Sequence, residues 1–237
     1  MPLSSLRFDV PPYRLTGTVI GALLNDPAQL AALGDAVNQA PHKAPPVAPV
    51  LAVRPRHTHA ADGDTIAVPA DVPALVVGGS LGIVIGRVAC RVAETQALQF
   101  VAGYVIAGEI SVPLASHYRP AVRFIARDGF CPIGSWVVSA SQVLNPDALT
   151  VQVEVDGATV HTSTTSGRTR GVARLIADVS EFMTLQAGDV LLLGATHGSP
   201  LVRAGHLLIR TEASPVSLGT EKMLVAFGQA NLLEQDP

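Results

Sequence analysis

Charge is scarce in this 237-residue sequence: Asp, Glu, Lys and Arg make up 15% of it, against about a quarter in ordinary soluble domains. Hydrophobic residues reach 48% and mean hydropathy is +0.37, so disorder of the polar, highly charged kind is excluded and a large core must be buried. The 16 basic residues lie singly against 19 acids, for a net charge of −3, and a chain so balanced has no electrostatic footprint for nucleic acid. Cysteine is nearly absent. Cys90 and Cys131 cannot form a disulfide framework and fit a reducing compartment. A membrane-crossing run is missing too: the longest uncharged apolar stretch, Val72 to Gly86, is interrupted by Gly78, Gly79, Gly82 and Gly86 and falls short of the roughly 20 residues a spanning helix needs. Met1 to Tyr13 carries Arg7, Asp9 and three prolines where a secretion signal would have an apolar core. The expectation is a cytoplasmic protein that does not contact the membrane.

The patterning that is present is mostly strand-like. Thr18 to Leu24 reads as a strand, followed by the clearest helix start in the chain: Asn25 or Asp26 as cap, Pro27 in the first turn, and Leu30, Leu33 and Val37 at helical spacing. Four prolines hold residues 41–49 extended, and Val47 to Arg54 forms a strand stopped by Pro55. Further strand material lies at Thr65 to Val68, at 74–77 and 81–86 (two strands or one bent strand), at Gly103 to Ser111 and at Trp136 to Ser139. A short amphipathic helix is expected over Glu94 to Val101. Alternation in Leu149 to Val155, then Asp156-Gly157, marks a hairpin returning through Ala158 to His161. Val172, Leu175, Ile176, Val179 and Phe182 form one face of a second helix, and strands follow at Val190 to Leu193, Val202 to Gly205 and Leu207 to Arg210. The fold class is therefore α+β dominated by mixed sheet. The expected division is a loose tail at 1–14, a small N-terminal subdomain at 15–70 and a β-rich core at 71–237.

Few residues are chemically conspicuous. His57 and His59 share one face of an extended segment, but two imidazoles do not make a zinc site, and they read as polar residues at a strand end. Ser80 in Gly78-Gly-Ser-Leu-Gly82 reads as a small core residue and not as a nucleophile; Cys131 before Pro132 reads as packing. In a chain this poor in charge, ionised side chains in apolar context are the natural site candidates. Arg127 and Asp128 in Arg123 to Gly134, and Glu109 in Val105 to Ser111, are the ones that stand out. A carboxylate on such a strand must face solvent or be paired, a divalent cation being one possible pair. The hydroxyls of Thr162 to Ser166 suit capping of the helix that follows.

An ordered set of blocks resembles the fumarylacetoacetate hydrolase superfamily: Gly17 to Asn25, Pro41 to Pro46, Arg54-Pro55, Ile83 to Arg87, Val101 to Ala107, Tyr118-Arg-Pro-Ala121, Arg127 to Gly134, Ser180 to Leu185 and Ala187 to Gly194. Arg127-Asp-Gly-Phe-Cys-Pro-Ile-Gly134 with the Tyr-Arg-Pro-Ala run upstream is similar to one branch, the N-terminal half of the 5-carboxymethyl-2-hydroxymuconate isomerase / 5-oxopent-3-ene-1,2,5-tricarboxylate decarboxylases of 4-hydroxyphenylacetate (homoprotocatechuate) catabolism. The resemblance implies a mixed β-roll, dimeric assembly, and Mg2+ or Mn2+ held by a Glu-x-Glu pair and a third acid, polarising an oxo acid. Carried over, the Glu-x-Glu pair falls on Gly78 and Ser80, and the third ligand on Glu109, which alone is a poor magnesium site. The implied picture is a metal-poor subunit, a homodimer or the partner of a homologue that carries the acids, with Glu109, Arg127 and Asp128 as catalytic candidates. Lys43, Arg54, Tyr118, Arg119, Thr165 and Thr196 are the candidates for binding a small oxo acid. The alternative is a non-catalytic homodimer on the same fold.

Overall fold

The protein is described here from a computed structural model covering residues 5–7, 17–61, 64–69, 71–114, 121–203, 206–214 and 222–229. Tyr118 and Arg119 lie outside the described residues, as does most of the 1–14 segment. Two eleven-residue strands, Leu75–Ile85 and Val101–Ser111, form the centre and run antiparallel from Val76 opposite Ser111 to Ile85 opposite Val101. The uncharged stretch around Gly78 and Gly82 is thus a single strand. Its residues and those of Val101–Ser111 are buried on both faces, which is why neither shows the apolar and polar alternation of a half-exposed strand.

From this pair the larger sheet extends both ways. Trp136–Ser139 and then Ser5–Arg7 lie on one side; Val190–Leu192, Val19–Leu23 and Val50–Arg54 follow on the other, and Leu201–Val202 pairs with the far end of Leu75–Ile85. A second sheet holds, in order, Ala158–Thr164, Thr150–Val155, Lys222–Gln229, His206–Ser214 and Thr65–Ala67. The hairpin predicted at Asp156-Gly157 joins its first two strands, with Asp156 and Gly157 both at positive φ as the tight turn demands. One apolar core serves both sheets: Leu81 and Ile83 from the larger, Val151 and Val153 from the smaller, and Val172, Leu175, Ile176 and Val179 from the helix Val172–Phe182.

Several expectations are revised. Three residues of the expected loose tail are ordered as a strand, Ser5–Arg7 pairing with Trp136–Val138. Within the 15–70 segment, Val19–Leu23 is inserted between Val190–Leu192, to which it runs parallel, and Val50–Arg54. A parallel neighbour 171 residues away cannot be read from local pattern. Glu94–Phe100 is a 3-10 helix with only Ala97 buried, too short to turn an α-helical stripe inward. The helix Pro27–Leu33 is capped by Asp26 and stops at Gly34, whose φ of +52° ends it a turn before Val37. Among the described residues no helix is long and apolar enough to cross a membrane.

Candidate active site

Even-numbered positions of Leu75–Ile85 and odd-numbered positions of Val101–Ser111 share one face of the sheet, since side chains alternate along a strand and Gly78 stands opposite Glu109. Toward the Ile85 end this face is closed by Val84, Val105, Val190 and Leu192. Toward the Leu75 end it opens into a cavity of about 320 Å³. Arg54 and Glu109 lie at its foot. Val76, Ser111, the helix Pro27–Leu33 and the loop Ala195–Ser199 form its walls.

Arg54 and Glu109 are 2% and 6% exposed. Arg54 Nη2 donates to Glu109 Oε2 at 3.1 Å, while Nη1 donates to the carbonyls of Ile125 at 3.0 Å and Ile110 at 3.3 Å. The pair is needed where it lies, because either charge alone would be strongly disfavoured by burial. It is not saturated: Arg54 Nε and Glu109 Oε1 are both buried without a hydrogen-bond partner. Close approach at the foot depends on Gly21, where a Cβ would stand 3.1 Å from Glu109 Oε2.

The loop that forms the upper wall is tied down at Ala195, Thr196, His197 and Ser199. Gln29 Nε2 donates to the Ala195 carbonyl (3.2 Å), the His197 amide to Asp26 Oδ2 (2.7 Å), and Ser199 Oγ to the Thr196 carbonyl (2.8 Å). Thr196 Oγ1 lies 2.7 Å from His161 Nε2. Burial holds His161 below the ordinary histidine range, with Asp26 pulling weakly the other way, so a neutral imidazole faces the loop at neutral pH. Behind the loop, Asn25 stitches the end of strand Val19–Leu23 to residues 169 and 170. Its Oδ1 accepts from the Arg170 amide, and its Nδ2 donates to the carbonyls of Arg170 and Leu193.

Of the predicted site residues, the structure brings Arg54, Glu109 and Thr196 into the cavity and leaves the others elsewhere. Arg127 makes a two-pronged ion pair with Asp71, at 3.0 and 3.1 Å, on the protein surface. Asp128 is exposed in the following turn. Neither lines the cavity, because the turn places their side chains outside the sheet. Lys43 is exposed in the loop before Val50–Arg54. Thr165 is buried, but its hydroxyl donates to the Pro146 carbonyl and accepts from the Leu149 amide, which is a structural duty. His57 and His59 bond the carbonyls of Ala126 and Arg54 and contribute to no metal cluster among the described residues. Cys131 is fully buried, its thiol pushed up to about 12 by desolvation. Gln29, Ser111 and Ser199 were missed; they are ordinary polar residues whose common cavity exists only after folding.

The five residues Gly78 to Gly82 satisfy the Gly-x-Ser-x-Gly spacing, yet they lie inside a continuous strand. A nucleophile elbow requires a sharp turn into a helix. Ser80 is 1% exposed, and its Oγ accepts from the Gly194 amide at 3.0 Å.

Residues 18–223 match the family described as fumarylacetoacetate (FAA) hydrolase, C-terminal. The chain belongs to the fumarylacetoacetate hydrolase family. Among its relatives are two from Escherichia coli, the 4-hydroxyphenylacetate degradation bifunctional isomerase/decarboxylase, 36% identical over 191 residues, and the homoprotocatechuate catabolism bifunctional isomerase/decarboxylase, 37% identical over 191 residues. Each alignment takes in 81% of this chain but only 43% and 44% of the relative, so the chain spans less than half the length of these proteins. The crystal structure of 5-carboxymethyl-2-hydroxymuconate delta-isomerase from Mycobacterium smegmatis is similar over 90% of this chain and 78% of that one, with a TM-score of 0.66 and 27% identity. The family assignment and the mixed-sheet α+β fold expected from the sequence are both borne out.

The divalent ion that the family resemblance implies does not fit the residues present. Gly78 offers no ligand, and its backbone has no room for one: a Cβ there would lie 2.5 Å from Ala195 Cβ and 3.2 Å from Ser199 Oγ. Ser80 already serves the Gly194 amide, and Glu109 is paired with Arg54. No group of three His, Cys, Asp or Glu suited to a metal exists among the described residues.

Proposed function

We propose that this chain is a cytoplasmic subunit of an isomerase/decarboxylase acting on 2-oxo and 2-hydroxymuconate-type tricarboxylic acids in 4-hydroxyphenylacetate catabolism. In this reading its own cavity contributes proton transfer, and metal-assisted decarboxylation belongs to a homologous partner that carries the acidic pair. The observation that carries the reading is the buried Arg54–Glu109 pair at the foot of the cavity, with Glu109 Oε1 free to accept. Isomerisation of a 2-hydroxydienoate to its 2-oxo form needs a base that takes the enol proton and an acid that returns one to carbon. Glu109 Oε1 is the acceptor available at that spot. Arg54 opposes the negative charge that builds on the substrate oxygen as the proton leaves. Ala22, Leu33, Val76 and Ile125 supply the apolar part of the cavity walls.

The test is an ultraviolet assay of 5-carboxymethyl-2-hydroxymuconate isomerisation by the purified chain in chelator, repeated after co-expression with a Glu-x-Glu homologue. Isomerisation by the chain alone is expected to fall at least ~100-fold in Glu109→Gln, and decarboxylation to appear only with the partner. A chain that is inactive alone and forms no stable complex on pull-down would overturn both parts. It would leave the second reading, a non-catalytic homodimer, which the loss of acids at Gly78 and Ser80 favours.

A further inference from the structure

Returning a proton to carbon needs an acid, and with Glu109 acting as the base that role is still open. Thr196 lines the cavity, as do Ser111, His197 and Ser199. What sets Thr196 apart is the group behind it. Its Oγ1 lies 2.7 Å from Nε2 of His161. His161 does not itself line the cavity; it stands opposite Val153 on the strand Ala158–Thr164, at the edge of the smaller sheet. The loop Ala195–Ser199 therefore carries one hydroxyl between an imidazole of the smaller sheet and a cavity built on the larger. Gln29 and Asp26 fix the residues on either side of Thr196. Gly198, at φ +79°, turns the loop beneath the ring, where a Cβ would stand 3.9 Å from His161 Cε1.

A threonine hydroxyl has one hydrogen to give. Ser199 Oγ is bonded to the Thr196 carbonyl and not to its hydroxyl, so His161 sets which way that hydrogen points. When Nε2 is bare, the Thr196 hydrogen is directed at the ring. When Nε2 is protonated, it donates to Oγ1, and the Thr196 hydrogen is free to turn to a ligand in the cavity. Burial holds His161 below the ordinary histidine value of 6.5, which makes its imidazolium a stronger acid than that of an exposed histidine. Around the ring are the Asp26 carboxylate, which partly offsets this effect, and the His197 imidazole in the loop. Glu154, beside Val153 on the neighbouring strand, accepts from Thr159 Oγ1, and Arg168 in the following segment is acted on by the same Asp26.

We propose that Thr196 is the acid of the cavity and that His161 is the positioning residue that supplies its proton, so that each sheet contributes one arm to proton transfer. In the step, Glu109 Oε1 takes the enol hydrogen and the O–H electron pair becomes the second bond of the new carbonyl. The displaced double-bond pair takes the Thr196 hydrogen at carbon, and Thr196 Oγ1 takes the Nε2 hydrogen of the imidazolium. His161 ends neutral and Glu109 protonated, and exchange with solvent restores both. The relay rests on the reading that isomerisation takes place in this cavity and goes beyond it in naming the acid. The test is isomerisation of 5-carboxymethyl-2-hydroxymuconate by the full chain in chelator, followed between about pH 6 and 8.5 and repeated in D2O with NMR of the early product. For wild type, kcat/KM is expected to fall about tenfold per pH unit above the His161 value, and deuterium to reach one face of the product carbon. In His161→Gln that fall should disappear and kcat should drop about 100-fold with KM unchanged. Thr196→Val should do the same and lose face selectivity, because water becomes the donor, and Thr196→Ser should restore both. The two variants cut the same bond from opposite ends, so either one that folds decides the matter. A pH dependence kept in His161→Gln or lost in His197→Gln instead, a raised KM as the only defect, or selective deuteration by Thr196→Val would each overturn the relay and leave the isomerase reading standing. Folded wild-type chain that does not isomerise the substrate would overturn both.

Discussion

Removing one partner of the Arg54–Glu109 pair strands the other in a place where neither is more than 6% exposed. Arg54→Met and Glu109→Leu are each expected to lower the free energy of unfolding by about 3–5 kcal/mol, and the double variant by clearly less than either alone. Urea denaturation of the three variants checks the order, and additive losses would show that the two side chains do not depend on one another. Gly78 is constrained differently. Gly78→Ala is expected to destabilise the protein by about 1–3 kcal/mol through overpacking, because the added Cβ meets Ala195 Cβ at 2.5 Å. Ala195→Gly in the same chain should restore most of the loss, as read by thermal melts. The thiols provide a third residue-level check. Exposed Cys90 should react with a thiol reagent at pH 8 in native protein, whereas Cys131, buried and pushed up to about 12, should react only after unfolding. Two thiols titrating in the folded state would contradict the packing at Cys131.

At the scale of elements, the sequence supplied periodicity but misplaced the partners. The helix Val172–Phe182 buries the face its spacing indicates, Val172, Leu175, Ile176 and Val179, while Phe182 at its end remains exposed. Its start is held neither by its own cap residue, Gly171, nor by the hydroxyls of Thr162 to Ser166. The Val172 amide donates to Asp147 Oδ1 at 2.9 Å, 25 residues upstream. Asp147→Ala is therefore expected to cost about 1 kcal/mol, like loss of a local N-cap, and to speed amide hydrogen exchange in the first turn of that helix. Thr164→Ala and Ser166→Ala should leave that exchange unchanged. A capping group so distant in sequence carries no local signature.

At the scale of the molecule, burial of imidazoles makes stability depend on pH. His59, half-buried beside the Arg54 carbonyl, and His161, beside Thr196, are both held below the ordinary histidine value of 6.5, desolvation being the main cause. The unfolded chain then binds protons more readily than the folded one. Stability from these groups is complete above about pH 6.5 and is lost as pH falls from there toward the folded-state values. Melting temperature should accordingly drop between pH 7.5 and pH 5.5, and the drop should be smaller in His59→Gln/His161→Gln. An equal drop in that variant would assign the dependence to other groups.

What the sequence determined by itself was what local chemistry determines. The alternation and turn at Asp156-Gly157, the cap at Asp26 with Pro27, the apolar stripe of Val172–Phe182 and the ordered family blocks each depend on residues a few positions apart, and each appears in the fold. The shortage of charge also had a readable meaning: the resemblance placed carboxylates at Gly78 and Ser80, and none is there. Tertiary structure decided the rest. Only the register of Leu75–Ile85 against Val101–Ser111 sets Gly78 across from Glu109, and only the insertion of Val19–Leu23 brings Val50–Arg54 close enough for Arg54 to meet that carboxylate. Arg127 and Asp128, conspicuous in the sequence, were turned to the surface. The physical reason is that burial and ion pairing depend on distance in space, and in a sheet of this topology residues that share a cavity lie as far apart in sequence as Ala22 and Ser199.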